Sequence, residues 1–581
     1  MRWKRSLAAA SAVSLLVLAA CSGNSDLESS SDENSITDQG SASAGMDPDA
    51  EAPAPPVDGA EEGGTINVQS TEGMNSIHPQ DAYYYNTMSI TTGLMFRSLT
   101  QYAYRDGQMV LVPDLATDLG QPNDDFTEWT FEIRDGVRWE NGDPVTAEDV
   151  ARGIKASFDR ETFSAGPAYA NTYFKGGDSY KGLYSEPKTD PEAVTVDGNK
   201  VIISMAKPFS DMPYFGALPA MSPLPDSNVD PADYARHPLS TGPYKIESYD
   251  VGREMTLVRN EEWDPDTDPA RHQYPDKYVF NMQVGDSAQI ENLILGDQGD
   301  AQTTISMDNI TQANIAKANQ GDQLVTGASA CGFFLDPDYR KIKDIKIRKA
   351  IGLAYPYKDV WLAQGQIIGT TRAPGTMISA PSVPGRNDPP YDILGNGGEE
   401  TDPAEAKKLL KEAGALGYEL KWVYTGDDPA LVDAKDAMVR AFQEAGFKTS
   451  PIKAADDQEA SKMAQNPNAP VNLISSSWCS DWPSGAVWIP PILSKDFPGS
   501  NYSRFSEPEV EKRIDEIGAM PVDSQPEAWA KLEKDVMEKY YPVIPIGYSG
   551  AARLRGSRIE GMHINEVFGN PTWKTMSVAP E

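Results

Sequence analysis

Basic residues are scarce in this chain: 51 Lys and Arg stand against 86 Asp and Glu, a formal charge of −35. An acidic surface repels phosphate backbones, which argues against nucleic acid as a partner. Cysteine and histidine are scarcer still, three and four among 581 residues. His78, His237, His272 and His563 lie far apart without metal-ligand spacing, so neither a metal nor a cofactor is expected. No GxSxG, HExxH, phosphate-binding loop or GxGxxG is present, and "GYSG" (Gly547–Gly550) misses the nucleophile-elbow spacing by one residue. Nothing proposes an enzyme. Beyond residue 20 no apolar run approaches membrane-spanning length.

The N-terminus sets the expected compartment. Arg2, Lys4 and Arg5 precede an apolar run, Leu7 to Ala20, too short to span a bilayer and suited to a signal-peptide core. It ends in "LAAC", which looks like a lipobox with Cys21 as the acylated residue of the mature protein. The alternative is an ordinary signal peptide followed by a chance cysteine. Residues 1–20 are thus expected to be removed, and the protein to sit on the extracytoplasmic face of the membrane, anchored by lipid at Cys21. Residues 22–62 hold eleven Asp and Glu, no Lys or Arg, and much Ser, Gly and Pro. Without an apolar period they cannot bury enough surface to order themselves, so 21–62 is expected to be an acidic disordered linker.

Residues 63–581 are long for one core, and two or three lobes follow. Ile66 and Val68 alternate with polar neighbours as in a half-buried strand. "TAED" predicts a helix start, with Thr146 and Asp149 as a capping box and Val150, Ile154 and Phe158 on one face. "TDPAEAKKLLKEAG" predicts another, with Asp402 as N-cap, Pro403 first in the helix, Glu405 at the box position and Gly414 as the left-handed stop. A third apolar stripe runs from Ile347 through Ala350, Ile351 and Ala354, broken at Pro356. Strands and helices mix throughout. With Cys21 assigned to lipid, Cys331 and Cys479 remain; one disulfide is the simplest reading, and two buried free thiols are the alternative.

Seven segments carry a family likeness: "NSIHPQDA", "LVPDLATDLG", "WTFEIRDGVRWENGDPVTAEDV", "STGPYKIESYDVGREMTLVRNEEWD", "IKIRKAIGLAYPYKDV", "DPAEAKKLLKEAG" and "PVIPIGYSGAARLRG". In that order, across nearly the whole mature chain, they resemble the family 5 solute-binding proteins of ABC importers, the oligopeptide- and dipeptide-binding group. Two departures are local: "YPYKD" replaces a common Asp-Arg turn, and His78 stands where Asp is common before Pro79. The resemblance implies an α/β, periplasmic-binding-protein-like fold (type II, cluster C): a two-lobe flytrap with an additional third domain. Lobe I would comprise residues 63–96, 226–330 and 549–581, lobe II 97–225 and lobe III 331–548. Ligand would be enclosed between lobes I and III, with lobe II largely a bystander.

The likeness also gives "SSSWCSDWPSG" (Ser475–Gly485) a role. The string Trp478-Cys479-Ser480-Asp481 resembles the family's Trp-Cys-x-Asp. This implies that Asp481 accepts the ligand's α-ammonium, Ser477 and Cys479 pair through backbone, and Cys479 is bridged to Cys331. Trp478 and Trp482 would form flat walls. Softer expectations for the ligand wall are Tyr83, Tyr84, Tyr85, Tyr169 and Tyr548. Read without the likeness, Asp481 opens a turn before Pro483-Ser484-Gly485, with both tryptophans in the core. The expected protein is a monomer, not an enzyme, that captures oligopeptides and delivers them to ABC permease and ATPase subunits. The alternatives are an oligosaccharide-binding member of the family, a secreted glycan hydrolase using two carboxylates, and a peptide-sensing surface protein.

Overall fold

A computed structural model describes residues 45–226, 230–426, 428–497 and 499–580. The expected signal peptide and Cys21 lie outside the described residues. Ile66 and Val68 are buried as their alternation predicts, because Thr65–Gln69 sits inside a five-stranded sheet. Its order is Thr304–Ser306, Thr65–Gln69, Lys277–Asn281, Glu254–Arg259, Tyr244–Asp250. Trp573 and Val578, from the end of the chain, pack into the same core as Ile66, Val68, Leu257 and Phe280. All its strands and the returning tail come from the segments expected to form lobe I.

Within 97–225, Gln121–Pro122, Glu128–Glu132, Lys200–Ser204 and Val194–Asp197 form an antiparallel sheet in that order. Helix α1, Ala147–Ala156, starts at a complete capping box: the Asp149 N–H donates to Thr146 Oγ1 (3.2 Å), and the Thr146 N–H donates to Asp149 Oδ2 (3.0 Å). Val150, Ile154 and Phe158 are buried beneath it. Fully buried charges tie this segment to the next. Arg97 Nε donates to Asp114 Oδ1 (2.7 Å), while Arg271 reaches both Asp114 (3.0 Å) and Asp268 (3.1 Å).

Residues 45–62 correct the linker expectation. Gly45–Met46 pairs in parallel with Val110 and Leu111 at the edge of Gln108–Pro113. Asp47 pairs with Arg105, and Ala50 and Ala54 are buried. A strand edge and small alanines dock this stretch through backbone groups, and that needs no apolar period.

The third sheet carries the site. Its strands are β1 (Leu324–Pro337), β2 (Arg372–Ala373), β3 (Leu473–Cys479) and β4 (Ile544–Leu554), in the order β2–β4–β1–β3. β1 is central, antiparallel to β4 on one side and β3 on the other, so β3 is an edge. Around the sheet lie α2 (Tyr357–Ala363), α3 (Pro403–Glu412), α4 (Pro429–Glu444) and α5 (Asp457–Gln465). Asp402 caps α3 by accepting from the Glu405 N–H (2.9 Å), and Gly414 adopts the left-handed conformation (φ +62°) after it. Glu405 does not reach back as a box partner. The Asp402 N–H already donates to the Leu353 carbonyl (2.7 Å), and the Glu405 carboxylate accepts from Lys408.

Candidate ligand-binding site

The register of β1 and β3 sets Cys331 directly opposite Cys479, Gly332 opposite Trp478 and Phe333 opposite Ser477. A disulfide joins Cys331 to Cys479 with their Cα atoms 4.0 Å apart. It clamps the end of the edge strand just before the chain turns away. The Ser480 N–H makes one more rung to the Ala330 carbonyl (3.0 Å). Asp481 then opens a turn in which the Ser484 N–H donates to the Trp482 carbonyl (2.9 Å), and Ser484 caps Gly485–Val487.

The turn does not leave Asp481 in solvent; the residue is 8 % exposed. Tyr169 donates its hydroxyl to Asp481 Oδ2, and Tyr83 donates a second. Tyr85 donates to the neighbouring Ser480 carbonyl (3.0 Å). Among the described residues no cation pairs with this carboxylate. Burial pushes the Asp481 carboxyl above its ordinary range, and the two tyrosine hydroxyls pull it back only in part. The hydroxyls of Tyr83, Tyr85 and Tyr169 are in turn pushed well up, by burial first and by the nearby Asp481 charge second.

Asp481, Tyr83, Tyr85, Tyr169 and Trp482 therefore meet at one place. Trp482 is 1 % exposed, packed among Tyr169, Phe209 and Phe215, and donates Nε1–H to Asp211 Oδ2 (2.7 Å). It is core rather than an open wall. Trp478 is half-buried and donates to the Val487 carbonyl (2.6 Å). Ser477 is exposed on the edge strand. Two tyrosines lie elsewhere. Tyr84 is 59 % exposed, because the chain enters the helix Tyr85–Ile90 with that side chain outward. Tyr548 is buried in β4, where its hydroxyl donates to the Met377 carbonyl (2.9 Å).

Sequence reasoning missed Asp211, a second buried acid beside Trp482; it treated residues 97–225 as largely a bystander and expected only Tyr169 from them. A short polar residue inside "PFSDMPYF" is the only signal Asp211 offers. A cavity of about 840 Å³ lies over this sheet, lined by Phe333, Arg372, Ser475, Ser476, Ser477 and Ile546 from its four strands and by residues of α2, α4 and α5. As an edge strand, β3 presents unpaired backbone groups on its free side, where an extended chain could pair. Among the described residues no group of three or more His, Cys, Asp or Glu could hold a metal ion.

The family model described as bacterial extracellular solute-binding proteins, family 5 middle, matches residues 110–499. The chain belongs to that family. The family 5 assignment agrees with individual relatives. The periplasmic oligopeptide-binding protein OppA of Salmonella typhimurium is 22 % identical over 465 residues, 74 % of this chain and 78 % of that one. The nickel-binding periplasmic protein of Escherichia coli is 23 % identical over 501 residues, covering 78 % and 84 %. Among solved structures, clavulanic acid biosynthesis oligopeptide binding protein 2 superposes with a TM-score of 0.80 at 23 % identity, covering 93 % of this chain and 99 % of that one. The fold is thus the family's mixed α/β, type II two-lobe arrangement with an extra domain. No helix among the described residues is long and apolar enough to cross a membrane.

Proposed function

We propose that this family 5 protein is a lipid-anchored extracytoplasmic receptor that captures oligopeptides and hands them to an ABC permease driven by ATPase subunits. Cys21 carries the lipid, the receptor works as a monomer, and ligand is enclosed between lobe I (63–96, 226–330, 549–581) and lobe III (331–548). No bond is made or broken; capture, closure and release are the whole cycle. The observation that carries the reading is Asp481: a buried carboxylate whose described partners are hydroxyls and not cations, beside an edge strand that the disulfide braces. An isolated buried carboxylate is unfavourable by several kcal/mol, and a peptide ammonium offsets that for any peptide sequence. Strand addition along Ser477 and Cys479 is equally blind to side chains. Both features suit a receptor for peptides of varied sequence, and relatives named for oligopeptide binding support the same choice.

Calorimetry with free-amine peptides, their N-acetylated forms and oligosaccharides tests this. Free-amine peptides are expected to bind, and Asp481→Asn to weaken them by about tenfold or more while hardly changing the acetylated forms. Heat from oligosaccharides alone would assign a different solute.

A further inference from the structure

Asp211 is a buried acid that the peptide reading leaves without a cation. It is 2 % exposed, and its Oδ2 accepts from the Trp482 indole (2.7 Å), while Oδ1 is buried without a hydrogen-bond partner among the described residues. The carboxylate precedes the short helix Met212–Phe215 without capping it, and no described cation pairs with it. Burial pushes its carboxyl up, and the Trp482 indole and the nearby Ser484 hydroxyl pull it back only in part.

Asp211 borders a cavity of about 330 Å³ between residues 97–225 and 331–548. The walls are mainly apolar. Phe209 stands on one side; Pro490, Ile514 on α6 (Pro508–Gly518) and Trp529 on α7 (Gln525–Lys539) stand on the other. A Cβ at Gly485 would lie 2.5 Å from Trp529 Cγ, so glycine there lets the indole form the wall. The neighbouring polar groups are occupied with one another. Gln525 Nε2 donates to Ser210 Oγ (2.5 Å) and the Met520 carbonyl (2.9 Å), and its Oε1 accepts from Trp529 Nε1–H (2.9 Å). Asp211 Oδ1 stays free. At the mouth Asp496 and Asp515 are exposed, and Lys207 holds its Nζ 5.0 Å from the centre of the Tyr173 ring. Three of the four charged residues lining the cavity are therefore acids. Neither Asp481 nor Tyr83, Tyr85 or Tyr169 lines it.

We propose that this cavity is a separate binding site for a small organic cation, one ammonium group on a compact apolar body. The ammonium donates to Asp211 Oδ1, and the body packs between Phe209 and Trp529. An unpaired buried carboxylate is unfavourable by several kcal/mol, and a cation offsets that where no side chain of the protein does. Aromatic walls suit both the apolar body and the positive charge. The volume lies at the low end of ligand pockets, which run from about 300 to 1,000 Å³, so it suits a molecule of phenethylamine size and excludes an extended oligopeptide. The site does not rest on the peptide reading, because a different carboxylate holds a different ligand.

Calorimetry on the full chain with phenethylamine and its uncharged counterpart, phenethyl alcohol, tests this. The amine is expected to bind the parent at least about tenfold more tightly than the alcohol. Asp211→Asn keeps an acceptor for the Trp482 indole and removes the charge. It should weaken the amine by about tenfold or more and leave the alcohol within about twofold. Undiminished amine binding in Asp211→Asn would put the amine elsewhere, the Asp481 site included, and overturn the inference. An equal loss of amine and alcohol would make Asp211 a shaper of the cavity and not an ammonium partner, with the same result. Equal affinity of the parent for both probes, or heat from neither, also overturns it, and that comparison needs no variant. None of these outcomes bears on peptide capture at Asp481.

Discussion

Asp336 shows what burial does to a single carboxyl. It lies on β1 with its side chain on the core face, accepting a hydrogen bond from Ser476 Oγ (2.5 Å), and burial raises its pKa to about 7. A carboxyl raised in the folded state stabilises that state fully only below its ordinary range near pH 4, and the contribution is lost as pH rises through about 7. Asp336→Asn is therefore expected to be more stable than the parent by ~1–3 kcal/mol at pH 8, and the difference should vanish near pH 4; thermal melts from pH 4 to 8 check it. Asp481 is shifted in the same direction, but its consequence appears in binding. An ammonium needs the ionised form, so affinity for free-amine peptides should fall as pH drops through the raised range, whereas Asp481→Asn should show a flat profile. A titration in which both proteins respond alike would separate Asp481 from the ligand.

At the scale of an element, β3 combines a free edge with a covalent clamp. The Cys331–Cys479 bridge spans a sequence separation of 148 residues, for which the chain-entropy model gives up to about 5 kcal/mol. Replacing both cysteines with serine should lower stability by ~2–5 kcal/mol in denaturant titrations without changing the secondary-structure content. It should also weaken peptide binding, because Ser480 and Asp481 hang directly from the clamped end. A double variant of parental affinity would show that the bridge serves stability alone.

Across the whole molecule, buried polar contacts tie separate stretches of chain together. Arg97, Asp114, Asp268 and Arg271 form a fully buried charge network between 97–225 and the following segment. Removing one member leaves its partners uncompensated, so Asp268→Ala is expected to lose about 3–5 kcal/mol in chemical denaturation. Trp482 with Asp211, Tyr169 with Asp481, and Gln525 with Ser210 join 97–225 to 331–548. Cys21→Ser should release the protein from membranes into the soluble fraction; unchanged membrane association would remove the lipid anchor from the proposal.

Much of this was legible in the chain because it depends on neighbours in sequence. Capping residues act within one helical turn, so the starts of α1 and α3 could be read from Thr146 and Asp402. Alternation places Ile66 and Val68 in a strand because side chains switch face at every residue. The ordered family segments led to the Cys331–Cys479 pair and to Asp481 as the residue to examine. What lies between distant segments was not legible. That Tyr169 and Tyr83 would converge on Asp481, that Tyr84 would face water, and that Trp482 would be buried against Asp211 all follow from contacts between stretches up to several hundred residues apart. The docking of residues 45–62 likewise required a strand edge supplied from elsewhere. Asp211 looks like any other aspartate in the sequence. Only the packed structure withholds its counter-ion, because isolation of a charge is a property of the space around it and not of its neighbours along the chain.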